Sequence, residues 1–184
     1  MTQPVKVRWP LADALSIAGD IRRLLVPACE RIEIAGSIRR QRPDVGDIEL
    51  LCITKPSTLA PFYDDALDEL IRGNDWGRET FSPRPSVVGV TAYGKQNKLM
   101  LHLPTGIHVD IFSTESRYWG MALFVRTGPK DWNIKAMSRF KQLHMAGHAY
   151  GGITSASGQE IDCPDEETVF RNLGWRYVPP KERA

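Results

Sequence analysis

The sequence predicts an α+β protein in two parts: a mixed sheet with helices on one face in residues 1–115, then a small α+β unit in residues 116–184. Three observations carry this. Two runs, Asp47–Ile53 and His108–Phe112, alternate acidic with apolar residues as strands do. Two others, from Leu11 to Leu25 and from Asp131 to Ala146, repeat apolar residues at helical spacing. Finally, charge shifts near residue 116: residues 117–148 hold Arg117, Arg126, Lys130, Lys135, Arg139 and Lys141 against Asp131 alone, whereas residues 149–170 hold five acids and no base.

Composition bounds the remaining choices. With 184 residues and 42% hydrophobic content the chain can build an ordinary core. A net charge of +2 does not by itself announce a polyanion partner, although the basic stretch 117–148 suits one. Cys29, Cys52 and Cys163 are far apart, odd in number and lack CxxC spacing, which argues against a disulfide framework or a zinc site and for a reducing compartment. Asp13 and Ser16 interrupt Leu11–Ala18, so no signal-peptide core forms, and no run reaches membrane-spanning length. A cytoplasmic location follows.

In chain order, residues 1–10 with Pro4 and Pro10 read as an irregular lead-in. Pro10 suits the first position of a helix in which Leu11, Ala14, Leu15, Ala18, Ile21 and Leu25 share a stripe, Arg22 and Arg23 turn outward, and Pro27 ends the run. A strand over Arg31–Ala35 leads into a turn at Gly36, and the strand Asp47–Ile53 follows. Phe62–Arg72 reads as an amphipathic helix with Asp64 and Asp65 near its start and Gly73 as its stop. Residues 74–85 read as an exposed loop. Ser86–Phe112 reads as three strands broken at Gly94–Asn97 and at Pro104–Gly106.

The second part begins near Ser116. Its helix over Asp131–Ala146 would bury Trp132, Ala136, Phe140 and Leu143 and present Lys135 and Arg139 on another stripe. His144 and His148 read as surface residues, with Gly147 ending the helix. Gly151–Gly158 reads as a flexible turn region. Pro164–Glu166 opens a last helix whose acids suit its N-terminal dipole, with Val169, Phe170 and Leu173 inward and Gly174 as cap. Trp175 reads as core.

The chemistry concentrates between Gly36 and Leu50. Asp47 and Glu49 project to one strand face and Ile48 and Leu50 to the other. Carboxylates that close repel unless a cation sits between them or one is protonated, and a hard divalent ion with oxygen ligands is the usual partner. Upstream, Gly36 and Ser37 let the backbone approach an anion, while Arg39 and Arg40 add fork-shaped donors suited to phosphate. By spacing alone the same pattern also suits a solvated acidic edge beside a basic turn.

The run G-S-I-R-R-(x5)-G-D-I-E-L resembles the nucleotidyltransferase signature, and in particular the palm motif of family X DNA polymerases, the DNA polymerase beta group. That family draws a third carboxylate from a later strand, which Asp110 supplies here. Arg126-Thr127-Gly128-Pro129, then Asn133, resembles the family's Tyr-Phe-Thr-Gly-Ser segment and the asparagine after it. Gly174 to Arg183 resembles its C-terminal W-K-Y-R-x-P-K-x-R. The resemblance implies a palm over residues 1–115 and a thumb over 116–184, and a DNA-directed DNA polymerase that adds deoxynucleotides to a primer 3′ end in short-gap filling or repair. It implies two Mg2+ ions, with Mn2+ able to substitute, held by Asp47, Glu49 and Asp110 as catalytic residues. Gly36, Ser37, Arg39, Arg40, Gly46, Thr127, Gly128 and Asn133 would bind the nucleoside triphosphate. Lys95 and Lys98, at the hairpin that meets the template backbone in the family, and Lys135 and Arg139 would bind DNA. The expected partners are gapped or primer–template DNA and a nucleoside triphosphate, with the protein a monomer.

Four departures accompany the resemblance. Glu49 replaces the usual second aspartate, and its longer side chain must fold back to keep both ions. His108 stands where the family usually has arginine, beside Asp110. Val125-Arg126 replaces Tyr-Phe, which implies weaker exclusion of ribonucleotides. Pro129 replaces serine after Gly128, where the family has a cis bond that proline makes accessible. The chain resembles the compact viral members made of palm and thumb, so no deoxyribose-phosphate lyase activity is expected. Two alternatives stand beside this reading: a small-molecule nucleotidyltransferase of the antibiotic-adenylylating kind, where D-x-E occurs, and a catalytically silent DNA-binding module.

Overall fold

The computed structural model describes residues 7–85, 89 and 92–183. The chain enters through β1 (Trp9–Pro10) and α1 (Leu11–Leu25), and a 3-10 turn at Val26–Ala28 takes up Pro27 where the helix stops. Next come β2 (Cys29–Ile34), the short helix α2 (Gly36–Arg39), β3 (Asp44–Val45) and β4 (Asp47–Thr54). β3 pairs with β1, so Trp9 and Pro10 are held in a strand pair rather than an irregular lead-in, of which residues 1–6 lie outside the described residues. Helices α3 (Ala66–Arg72) and α4 (Asp75–Thr80), then strands β5 (Phe81–Pro83), β6 (Asn97–His102) and β7 (His108–Ser113), complete a five-stranded mixed sheet of order β2-β4-β7-β6-β5. Only the β4–β7 pair is parallel, which places two acid-bearing strands side by side.

Alternation along these strands sorts the two faces. Ile48, Leu50 and Cys52 of β4 and Val109 and Ile111 of β7 pack with Ala14, Ala18, Ile21 and Leu25 of α1 and Leu67 and Ile71 of α3. Leu15, on the expected stripe of α1, stays 49% exposed. Truncating a fully buried member of this layer such as Leu50 would cost roughly 2–5 kcal/mol. The opposite face carries the acids at one end and, beyond them, Leu51 and Phe112 against Trp119, Ala122 and Leu123.

Two expectations for residues 62–85 are corrected. α3 starts at Ala66, not Phe62, because Asp65 Oδ1 accepts from the Asp68 N–H at 2.7 Å and caps the helix there, leaving Phe62 80% exposed. Residues 75–80 are helical rather than loop, since Asn74 caps them through the Gly77 N–H at 2.9 Å and Gly77 fits where a Cβ would collide with the Ile71 carbonyl. The first of the three strands expected after Ser86 falls largely outside the described residues; β6 and β7 are the other two.

The second part contains α5 (Trp119–Thr127), α6 (Lys130–Gln142), the hairpin strands β8 (Ala146–His148), β9 (Gly152–Thr154) and β10 (Glu160–Ile161), and α7 (Glu166–Leu173). α5 was not anticipated: Trp119 through Phe124 are all buried, so it shows no polar stripe to reveal a helical period. α6 stops at Gln142, four residues short of the expected end, and His144 takes a positive φ of 55° as the chain leaves it. Gly147 therefore lies in a strand, and Gly151–Gly158 holds β9 rather than turn alone. α7 behaves as expected, with Asp165 accepting from the Thr168 N–H at 2.8 Å and Gly174 left-handed at φ 69°. Met121, Phe124, Phe140, Val169 and Phe170 form this part's core, and Trp175 packs edge-on against Trp132 at 5.7 Å.

Candidate active site

Strand register brings the acids together. Glu49 lies opposite Asp110 across the parallel β4–β7 pair, and Asp47 lies opposite His108 one pleat away. Ala35 N–H donates to the Glu49 carbonyl at 2.8 Å, after which Gly36 turns the chain at φ 62° into α2. A Cβ at Gly36 would collide with the Glu49 carboxylate, so the longer acid lies against a position that only glycine can fill. Burial, reinforced by the charges of Asp47 and Asp110 and opposed by Arg126 and Arg40, pushes the Glu49 carboxyl up to about 7.

A cleft of about 580 Å³ opens beside Glu49, between Arg40 and the segment Val125–Ser138. Among the residues that line it, Arg40 Nε, Arg126 Nε and Asn133 Oδ1 are buried polar atoms with no partner, as is Ser37 Oγ on α2. Unsatisfied buried groups cost free energy, and three of them on one cleft suit a polar ligand. The cleft is held in shape by backbone carbonyls: Arg40 donates to the Thr127 carbonyl, and Asn133 Nδ2 donates to the Val125 carbonyl at 2.8 Å. Gly128 takes φ 62° and the Gly128–Pro129 bond is cis, as proline at this position implied. Gly46 is buried at the start of β4.

Two of the expected site residues are elsewhere. Arg39 does not face the cleft: its guanidinium donates to Thr127 Oγ1 and to Glu166 Oε2, each at 2.6 Å, and Glu166 also accepts from Arg183 at 2.6 Å. Successive residues on α2 point about 100° apart, so only Arg40 can reach the cleft while Arg39 spans to α7. Although burial opposes it, the bonds from Arg39 and Arg183 hold the Glu166 carboxyl below its usual range. Lys98 is not a surface residue. It shares the inward parity of Met100 on β6, is 0% exposed, and pairs with Asp65 at 3.3 Å and the Gly94 carbonyl at 3.2 Å. Lys95 and Lys135 are exposed, and Arg139 is half-buried with Nε donating to the Leu173 carbonyl at 3.2 Å.

The structure adds Arg84 and Glu166, which lie outside the motifs, and new contacts for Arg126 and Arg183, which lie within them. Arg84, just after β5, forms a salt bridge with Asp110. Arg126 lays its guanidinium over the Phe112 ring at 3.6 Å and the Tyr150 ring at 4.8 Å, within the field of Glu49 and Asp110. Glu166 and Arg183 form an almost fully buried pair behind the cleft. Among the described residues no three His, Cys, Asp or Glu side chains converge as a ready-made metal centre. The donor set nonetheless fits a hard divalent ion: all three members are carboxylates, and the charges of Asp47 and Asp110 add to burial in disfavouring the Glu49 anion that a cation would stabilise. Among the described residues, no helix is long and apolar enough to cross a membrane.

Comparison with known proteins bears on the fold and on its second part. Residues 122–184 match the DNA polymerase beta thumb family. Over 98% of this chain and 78% of the other, the fold superimposes on that of Leishmania infantum polymerase beta, solved as a ternary P/T complex, with a TM-score of 0.78 at 17% identity. No curated protein matches the sequence. The chain is thus similar to a DNA polymerase beta thumb over residues 122–184 and to a polymerase beta in its fold.

Proposed function

We propose that this chain is a DNA-directed DNA polymerase that adds deoxynucleotides to a primer 3′ end, working as a palm (1–115) and thumb (116–184) in short-gap filling. One observation carries the reading: Glu49 and Asp110 lie opposite each other in neighbouring strands, with Asp47 one pleat away, beside a cleft lined by the unpartnered polar atoms of Arg40, Arg126 and Asn133. Such a site offers oxygen ligands on one side and donors for a triphosphate on the other.

Asp47, Glu49 and Asp110 would hold two magnesium ions. When bound, these supply Lewis acidity toward the attacking and leaving oxygens of an in-line displacement. The chain's own residues do the rest. Ser37 and Arg40 hold the triphosphate, the Thr127–Pro129 turn fixes the sugar against Val125, and Asn133 meets the edge of the incoming base. Arg39 acts through Thr127 and Glu166 by fixing the thumb against α2. Exposed Lys95 and Lys135 meet the DNA backbone. The thumb family match weighs against a small-molecule transferase.

Extension of a gapped DNA primer with labelled deoxynucleotides, with Mg2+ or Mn2+, tests the reading directly. Asp47→Ala and Asp110→Ala should abolish extension. A second reading, DNA binding without transfer, is favoured by the engagement of Asp110 with Arg84. It wins if the wild type extends with neither metal while Glu49→Asp does.

A further inference from the structure

One row of residues crosses three strands and ends just past a fourth. Glu49 on β4 lies opposite Asp110 on β7, Asp110 lies opposite Leu99 on β6, and the Arg84 N–H, directly after β5, donates to the Leu99 carbonyl at 2.9 Å. Residues opposite each other in a sheet share a face. Arg84 therefore reaches over Leu99 on the catalytic face and meets Asp110 Oδ1 through one nitrogen, Nη2. Both side chains are largely withdrawn from water, at 16% and 14% exposure, and a pair so placed is far less screened than one on the surface. Arg84 Nε is buried without a partner.

From this row we infer that Arg84 is a positioning residue for Asp110, supplied from the sheet edge on the side away from Glu49. The inference rests on the transfer reading above. The Arg84 bond uses one guanidinium nitrogen and one carboxylate oxygen, and a carboxylate has about four lone-pair sites, so this bond by itself does not keep Asp110 from an ion. Ligating carboxylates are commonly held this way by outer partners, whose loss costs about 10–100-fold in metal affinity or activity. The position two residues before Asp110 holds His108, so the permanent cation beside this acid comes from another strand. Its reach is set by the backbone bond to Leu99 rather than by a turn.

The full-length chain answers this with a direct binding readout. Free Mn2+ is counted by electron paramagnetic resonance during titration of wild type, Arg84→Gln, Arg84→Lys and Asp110→Ala, with thermal unfolding in EDTA as the check on folding. Arg84→Gln should weaken the Asp110-dependent Mn2+ binding and slow primer extension by about 10–100-fold while the nucleotide KM holds. Arg84→Lys, which keeps the charge but not the planar fork, should recover part of both. Equal or tighter Mn2+ binding by folded Arg84→Gln would overturn the inference, because Arg84 would then be a competing cation only. If Asp110→Ala leaves wild-type Mn2+ binding unchanged, the transfer reading fails instead, which separates the two.

Discussion

Replacing Glu49 by glutamine should stabilise the metal-free protein, and only above the acidic range. The substitution keeps shape and removes one charge from a group surrounded by Asp47 and Asp110, with Arg40 and Arg126 opposing them. In the folded chain the carboxyl rises from 4.5 to about 7. The folded state therefore binds a proton that the unfolded state has released between those values, and stability falls as pH rises through that window. At 1.36 kcal/mol for each pH unit of that rise, the loss amounts to ~3 kcal/mol as an upper bound. Glutamine has no such loss, so the variant and wild type should unfold alike at pH 4.5 and diverge by up to ~3 kcal/mol at pH 8.5, or about 6–12 °C in Tm for a chain of this size. His102, whose imidazole burial pushes down, contributes with the opposite sign, but it is common to both proteins and cancels in the difference. Urea unfolding in EDTA across this range measures the effect. A wild type equally stable at both ends, relative to the variant, would refute the electrostatic account of the acidic row.

Glu166→Ala should destabilise by roughly 3–5 kcal/mol in urea, because it strands the buried Arg183 guanidinium as well as Arg39, whereas changing both Glu166 and Arg183 to apolar residues should cost less. Arg126→Phe restores an aromatic side chain at the cleft wall and should sharpen the preference for deoxynucleotides over ribonucleotides in a side-by-side incorporation assay; unchanged selectivity would remove Arg126 from sugar selection. Lys98→Ala should lower stability without changing the salt dependence of DNA binding, while Lys95→Ala should leave stability intact and reduce the slope of log affinity against log salt by about 1.

The acidic strands were legible because a strand that is buried on one face writes acid and apolar residues in strict alternation, as Asp47–Leu50 and Val109–Ile111 do. Their adjacency was not, since a parallel pairing across an insertion of more than fifty residues leaves no local trace. Local signals failed where burial is total or where capping decides. α5 is apolar all round, and the helix at Asp75–Thr80 depends on the Asn74 side chain and on a glycine that normally argues against helix. Lys98 misled for a related reason. In Asn97–His102 both faces carry apolar residues, so parity alone does not tell the lysine's face, and the buried partner Asp65 comes from another element. Arg39 and Arg40 were equivalent as letters; the four-residue helix that separates their directions starts only because Gly36 can turn with positive φ.

What the site lacks in local sequence it recruits from distance. Three guanidiniums attend the acids: Arg40 from α2 and Arg126 from the end of α5 act on Glu49, and Arg84 from the sheet edge pairs with Asp110. Without divalent ions this arrangement offsets part of the carboxylates' charge, though not enough to keep Glu49 from being raised. It also bears on how ions would arrive under the transfer reading. A divalent cation entering alone meets guanidinium repulsion as well as carboxylate attraction. One entering with a triphosphate brings the anion that Arg40 and Ser37 can satisfy. Ion and nucleotide binding should therefore be reciprocal, each tightening the other by the same factor. In Mn2+ titrations the added triphosphate should raise the chain's affinity beyond what the triphosphate's own chelation supplies, and Arg40→Gln should reduce that gain while leaving binding of Mn2+ alone no weaker. If ion affinity does not respond to nucleotide in the wild type, the guanidiniums act as structural counter-charges and not as part of a shared binding site.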